Sequence, residues 1–299
     1  MQLTDEFRTN IVSFHPTGER WLAALPARVD ALAARWQIDD LQTMPRLTFN
    51  FVARGRRANE PVVLKVSLDE KELAKELRWL RLHATGSVID VLEQTQDAYL
   101  MPRLDPGESL REALTASKSL TDDAATALLA AAIAGAPRLP AQPGFPSVAQ
   151  WFGGGWDDYL RRFGDAGPLT DVARVRAVAG ELFAAGPEEA LLHGDLHHGN
   201  LLLDGSRWLI TDPHGVNGDP AHECAALLRN CLPEDIEGAV TRRVAILAEV
   251  LDIDAGRIAG WGYAQTRLSQ AWSLVAGAGE EDYSADRAGE ALFRLYARR

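Results

Sequence analysis

The chain has 299 residues, 46% of them hydrophobic and 24% charged, with 31 Lys and Arg against 42 Asp and Glu and a net charge of −11. This is globular usage with ample chain for a buried core, which excludes intrinsic disorder. The acidic balance speaks against a nucleic-acid or anionic-membrane binder, and no window of roughly 18 uninterrupted apolar residues is present to span a bilayer.

In chain order, the opening MQLTDEFRTN is polar and acidic and does not read as a signal peptide. Residues 19–37 place Trp21, Leu22, Leu25, Val29, Leu32, Ala33 and Trp36 close to helical spacing, with Pro26 expected to separate a short turn from the main helix. Residues 47–66 read as two antiparallel strands, LTFNFVA and PVVLKV, around a polar turn that includes Arg54, Arg56 and Arg57. Residues 68–82 form a charged amphipathic helix with Leu73, Leu77 and Leu80 on one face, and strands are expected at 88–92 and 98–101. Residues 109–136 then read as one Ala/Leu-rich helix, followed by a four-proline loop, helices at 148–163 and 171–185, a short β-rich core from 191 to 215, and helix from about 221 onward. The fold class is therefore α+β with two lobes: residues 1–104 small and β-rich, residues 105–299 large and mostly helical. Cys224 and Cys231 fall in what reads as one helix, about 10 Å apart along its axis and too far apart for a disulfide. A reduced, cytoplasmic protein is expected, monomeric or weakly dimeric, with no nucleic-acid or membrane partner.

The densest polar cluster is His193-Gly194-Asp195-Leu196-His197-His198-Gly199-Asn200, set between Leu191-Leu192 and Leu201-Leu202-Leu203. Asp204-Gly205-Ser206-Arg207 is turn-forming and leads to Trp208-Leu209-Ile210, so the two short strands form a hairpin. The hairpin returns Asp212 beside Asn200, and the oxygens of Asp195, Asn200 and Asp212 converge on one rim. Asn and Asp oxygens are hard ligands that suit Mg²⁺. A carboxylate five residues before the Asn can instead address an incoming hydroxyl, the arrangement of kinase catalytic loops. Upstream, Lys65 on a strand can act as a fixed charge on nucleotide phosphates. It needs a carboxylate partner, for which Glu76 leads and Glu72, one turn earlier, competes. Adenine would dock near the boundary, at the Pro102 carbonyl and the Leu104 amide.

These residues resemble a known family. HGDLHHGNLLL followed by WLITDPHGVNGDPAHECAALLRN is similar to the aminoglycoside/hydroxyurea antibiotic resistance kinases, the streptomycin 6-phosphotransferase group of the aminoglycoside phosphotransferase and protein-kinase-like superfamily. The similarity extends to WLAALPARVDALAARW and to GWGYAQTRLSQAWSL, so it covers nearly the whole chain. It implies a two-lobed kinase-like fold with ATP in the cleft and phosphoryl transfer to a small-molecule hydroxyl acceptor, cationic if the acceptor is streptomycin-type. It implies Asp195 as catalytic base in a loop at 193–200, and Asn200 and Asp212 as Mg²⁺ ligands, the latter in a loop at 212–215. It implies Lys65 on the phosphates with Glu76 as partner, and LMPRL as hinge with Met101 as gatekeeper. Three departures stand out. No glycine run precedes the lysine strand, which leaves Thr48 to touch phosphate. Glu223 stands where relatives tend to have Asp. No acidic pair follows Trp272-Ser273, although Glu280, Glu281 and Asp282 come a few residues later.

Other readings of the same residues stay open here. His193, Asp195, His197 and His198 have metal-ligand character, as in a zinc-dependent hydrolase, and a kinase-like fold can bind nucleotide without turnover. Trp151, Trp156 and Tyr159, near Asp157 and Asp158, could meet a cationic sugar, but a packing face is the simpler reading. The acceptor could equally be another amino-sugar, cyclitol or metabolite.

Overall fold

The computed structural model describes residues 3–45, 47–165, 167–186, 189–277 and 283–298. Two compact units divide the chain, Met1–Gly107 and Glu108–Arg299.

The first unit opens with helices α1 (Asp5–Phe14) and α2 (Gly18–Trp36). The short α1 was not legible as a separate helix. Its Thr4 side chain caps it by accepting from the Phe7 amide, and Phe7 and Ile11 one turn apart are both fully buried. Pro26 lies inside α2 without breaking it. An internal proline costs about 3 kcal/mol, whereas each large side chain buried on that face returns about 1.5–3 kcal/mol, and Leu25, Val29, Leu32 and Trp36 are all buried.

Strands β1 (Ile38–Thr43), β2 (Asn50–Arg57) and β3 (Glu60–Ser67), then helix α3 (Glu70–Leu82) and strands β4 (Glu93–Gln94) and β5 (Ala98–Pro102) complete this unit. The strands make one antiparallel sheet in the order β1-β2-β3-β5-β4. Two expectations are corrected. Residues 54–57 belong to β2 and not to the turn, which is only Ala58-Asn59, both at positive φ (48° and 68°) as a two-residue hairpin of the right twist requires. The strand expected at 88–92 is displaced to Glu93–Gln94. β1, with the polar sequence IDDLQT, had no hydrophobic alternation to reveal it. Alternation sorts the sheet: Phe51, Leu64, Val66 and Leu100 join the core with α1 and α2, while Val52, Lys65 and Tyr99, directly opposed across three strands, share the other face.

Strand β6 (Pro106–Ser109) crosses the unit boundary. In the second unit follow α4 (Leu110–Thr115), α5 (Asp122–Gly135), α6 (Val148–Phe163), α7 (Val172–Ala184), β7 (Ala190–Leu192), β8 (Leu201–Asp204), β9 (Arg207–Ile210) and β10 (Val216–Gly218). A 3₁₀ turn at Pro220–Cys224 leads to α8 (Ala225–Arg229), α9 (Ile236–Leu251), α10 (Ala255–Val275) and α11 (Tyr283–Tyr296). The single helix expected at 109–136 is two. Ser117 and Ser119 side chains bond back to the Ala113 carbonyl, Lys118 takes a positive φ, and Thr121 caps α5. Cys224 and Cys231 are free and lie on either side of α8 rather than in one helix. The buried α10 is the unit's axis: Trp261, Tyr263, Ala264 and Leu268 are at most 1% exposed. Around it, β7 pairs with β10 and β8 with β9, both antiparallel. Among the described residues no helix is long and apolar enough to cross a membrane.

Candidate active site

In the first unit, β3 presents Lys65 and α3 presents Glu76. Lys65 Nζ lies 2.8 Å from both Glu76 carboxylate oxygens, and the Tyr99 hydroxyl donates to Glu76 Oε1 at 2.7 Å. The ammonium also lies 5.7 Å from the centre of the Tyr99 ring. All three side chains are buried. A buried ion pair repays its desolvation only when its hydrogen-bonding capacity is met, and Tyr99 supplies a donor that the sequence did not mark. The competing Glu72 is half-exposed and pairs with Lys75 instead. Met101 opposes Val63 across the ladder, and the strand end is pinned where the Arg103 amide donates to the Pro61 carbonyl at 3.0 Å. Pro102 and Leu104 are half-buried there. Thr48 is exposed on the segment before β2, its carbonyl accepting from Asn10 Nδ2.

In the second unit, the loop from His193 to Asn200 is fixed by its own backbone. The buried Glu223 carboxylate accepts from the His193 amide at 2.7 Å and the Gly194 amide at 3.1 Å. The longer acid at this position thus still braces the loop. Burial pushes its carboxyl up to about 7. His193 Nδ1 accepts from the Asp195 amide at 3.2 Å, so Nε2 carries the proton and donates to the Thr211 carbonyl at 2.9 Å. Burial holds this imidazole neutral, its pKa lowered to about 4. His197 Nδ1 likewise accepts from the Gly199 amide, which leaves its Nε2–H toward Asp195 Oδ2 at 3.5 Å.

The hairpin β8–β9 closes as its turn composition predicts. The Thr211 amide donates to the Asn200 carbonyl at 3.0 Å, and Asn200 Nδ2 donates to the Asp195 carbonyl at 3.0 Å. Asp195 and Asn200 are therefore tied in one short circuit, and Asp212 follows Thr211 at its end. Asp212 is exposed, at φ 63°. Two further groups meet the Asp195 carboxylate: Arg229 Nη2 lies 3.2 Å from Oδ1 and His214 Nε2 3.9 Å from Oδ2. No local sequence signal marks Arg229. It ends α8, 34 residues downstream, and only packing returns it to the loop.

These bonds leave little for a zinc site. Both ring nitrogens of His193 are engaged by backbone, and His198 is fully buried with its pKa lowered to about 3. Among the described residues no group of three or more His, Cys, Asp and Glu side chains is arranged to hold a metal ion. Trp156 and Tyr159 are buried in packing, whereas Trp151 is half-buried. Glu280, Glu281 and Asp282 lie outside the described residues.

The chain is similar to known proteins over most of its length. Residues 35–277 match the family described as aminoglycoside/hydroxyurea antibiotic resistance kinase. The chain is 29% identical to a streptomycin 6-kinase of Streptomyces glaucescens, over 94% of this chain and 93% of that protein. It is 30% identical to a streptomycin 3''-kinase of Klebsiella pneumoniae, over 74% and 83% respectively. Among solved structures, the aminoglycoside phosphotransferase APH(4)-Ia in ternary complex with ADP and hygromycin B superposes with a TM-score of 0.61 at 19% identity, over 90% of this chain and 97% of that one. That likeness places the chain in the protein-kinase-like fold.

Proposed function

Because the chain belongs to the aminoglycoside/hydroxyurea antibiotic resistance kinase family, and is thereby an ATP-dependent small-molecule kinase acting on a hydroxyl group, we propose that its acceptor is a streptomycin-type aminoglycoside. We assign its chemistry to Asp195, Asn200, Asp212, Lys65 and Glu76. The observation that supports this assignment is the hydrogen-bonded circuit Asp195–Asn200–Thr211, which ties the loop carrying Asp195 to the hairpin end that precedes Asp212.

In this reading Asp195 orients the acceptor hydroxyl and takes its proton as the new O–P bond forms. Arg229 holds Oδ1 at 3.2 Å, whereas His197 and His214 stand 3.5 and 3.9 Å from Oδ2, so Oδ2 is the less tightly held oxygen and takes the proton in this reading. Lys65, fixed by Glu76, places a point charge on the nucleotide phosphates. Thr48 adds a hydroxyl to the phosphates, and the strand end with Met101, Pro102 and Leu104 receives the base. Asn200 fits as a ligand for Mg²⁺ because its side-chain nitrogen is spent on the loop while its Oδ1 accepts no hydrogen bond among the described residues. Asp212 adds a carboxylate oxygen, and both are the hard donors Mg²⁺ prefers. When bound there, Mg²⁺ would neutralise phosphate charge. Positioning and electrostatics do the rest.

The test is Mg²⁺-dependent ADP release from ATP with streptomycin, other aminoglycosides, hydroxyurea, amino-sugars and simple sugars as acceptors. Turnover with one acceptor, reduced about a hundredfold or more in Asp195→Asn, is the expected result. Unchanged turnover in that variant would remove Asp195 from its role. A second reading, a kinase of another amino-sugar, cyclitol or metabolite, draws on the absence of a carboxylate in Ser273-Leu274-Val275-Ala276-Gly277 after Trp272. It is supported if streptomycin is inert and one of the others turns over.

A further inference from the structure

An aromatic surface runs outward from the Asp195 carboxylate within the second unit. Its inner edge is the loop itself. Gly194 has φ 87°, and a Cβ there would lie 2.9 Å from the tip of the Trp151 indole, so that ring lies against the backbone next to Asp195. His214, whose Nε2 is 3.9 Å from Asp195 Oδ2, meets Trp151 edge-on with ring centres 6.1 Å apart. Trp272 meets Trp151 edge-on from the other side at 6.3 Å. The rings thus form a continuous path from the carboxylate to Trp272, which is 37% exposed although large.

The chain spends stability to hold this surface. Helix α6 carries Gly153-Gly154-Gly155 in its interior, where each glycine is unfavourable relative to alanine. Packing explains Gly155: a Cβ there would fall 2.5 Å from Trp272 Nε1 and 2.6 Å from Leu268 Cδ1, so its absence is the seat of the second indole. Packing does not explain Gly154, on the same helical face as Trp151, where a Cβ would meet nothing within 4 Å. Bare backbone at Gly154 leaves open space on the face of the helix that carries Trp151.

We infer that Trp151 and Trp272 form the acceptor platform, on which a ring-bearing alcohol lies flat with its hydroxyl at Asp195. The inference rests on the kinase reading above and adds to it the side chains that receive the acceptor's ring. A sugar or cyclitol ring has an apolar C–H face matched to an indole, and planar cationic substituents also stack on indole. A small open-chain hydroxamate such as hydroxyurea has no ring to cover the surface.

The experiment compares wild type, Trp272→Ala and Trp272→Phe in two assays. In steady-state kinetics, Trp272→Ala should raise the KM for the ring acceptor tenfold or more, shift the KM for ATP by less than threefold, and be largely rescued by Trp272→Phe. In the second assay, streptomycin is titrated against indole emission with ADP present, and saturable quenching should be lost in Trp272→Ala. An unchanged acceptor KM in Trp272→Ala overturns the platform while leaving the kinase intact, as does a higher kcat/KM for hydroxyurea than for any ring alcohol. If nothing on the panel turns over, the transfer reading fails by itself. The titration then decides the platform: quenching lost in Trp272→Ala supports it, and no quenching of wild type overturns it.

Discussion

Arg229 Nη2 lies 3.2 Å from Asp195 Oδ1, with the arginine side chain 21% and the aspartate 25% exposed. The guanidinium is otherwise buried, its Nε finds no partner among the described residues, and burial lowers its pKa against the pull of Asp195. A cation so placed locks one carboxylate oxygen, while the other faces only the more distant ring nitrogens of His197 and His214. Arg229→Met should therefore lower kcat by about tenfold to a hundredfold with little change in the KM for ATP, since one interaction of 1.4 kcal/mol is a factor of ten. Arg229→Lys should recover part of the loss. An effect confined to thermal stability, with kcat retained in the folded fraction, would make the pair purely structural.

The Tyr99 hydroxyl is a second support with a measurable share. Tyr99→Phe keeps the ring beside Lys65 and removes the donor to Glu76 Oε1. Losing a hydrogen bond to a charged group costs about 1.5–3 kcal/mol. The expected outcome is a several-fold rise in the KM for ATP and a lower urea midpoint. A KM for ATP equal to wild type would show that Lys65–Glu76 holds without it.

Gly155→Ala tests the seat of Trp272 by sign. In an exposed helix interior this change stabilises by up to about 1 kcal/mol. Here the added Cβ would meet Trp272 Nε1 at 2.5 Å and Leu268 Cδ1 at 2.6 Å, and overpacking of that kind costs about 1–3 kcal/mol. Denaturant unfolding should show a net loss of stability, and the acceptor KM should rise as the indole is displaced. A stabilised variant with wild-type kinetics would mean that the indole has room to move.

Stability should fall on acidification through the buried histidines. His193, His198 and His222 have pKa values lowered by burial to about 4, 3 and 4. Their native forms bind fewer protons than the unfolded chain, so their contribution is present above about pH 6.5 and is lost as pH falls toward 4. Glu223 acts in the opposite sense: its raised pKa of about 7 favours the native state at low pH, and that contribution is lost as pH rises through 7. His198 isolates the first effect, because neither ring nitrogen has a hydrogen-bond partner among the described residues. His198→Leu should gain stability relative to wild type as pH drops from 7 to 5, by about 2 kcal/mol, the worth of one proton over that interval. Parallel stability curves for the two proteins would refute a neutral buried imidazole.

Much of this site was legible because its signals are local. The run from His193 to Asn200, the turn at Asp204–Arg207 and the return to Asp212 lie within twenty residues, and hairpin geometry converts that spacing into proximity. Lys65 and Glu76 were legible for the same reason, being separated by one strand end and less than two helical turns. Illegible were β1, which lacks apolar alternation, the break between α4 and α5, made by serine side chains bonding to backbone, and the strand character of Arg54 and Arg56, whose charge imitates a turn.

The sequence by itself determined the kinase-like class, the hairpin that follows the 193–200 loop, and the pairing of Lys65 with Glu76. Each depends on spacing within one supersecondary unit. Tertiary structure alone decided that Arg229 reaches Asp195, that Tyr99 completes the lysine–glutamate pair, that Glu223 braces the loop, and that Gly155 seats Trp272 against Trp151. These contacts join residues from 23 to 121 positions apart or turn on the space left by a missing side chain. Hydrophobic periodicity specifies which face of a helix is buried, but it does not specify which neighbour that face will meet.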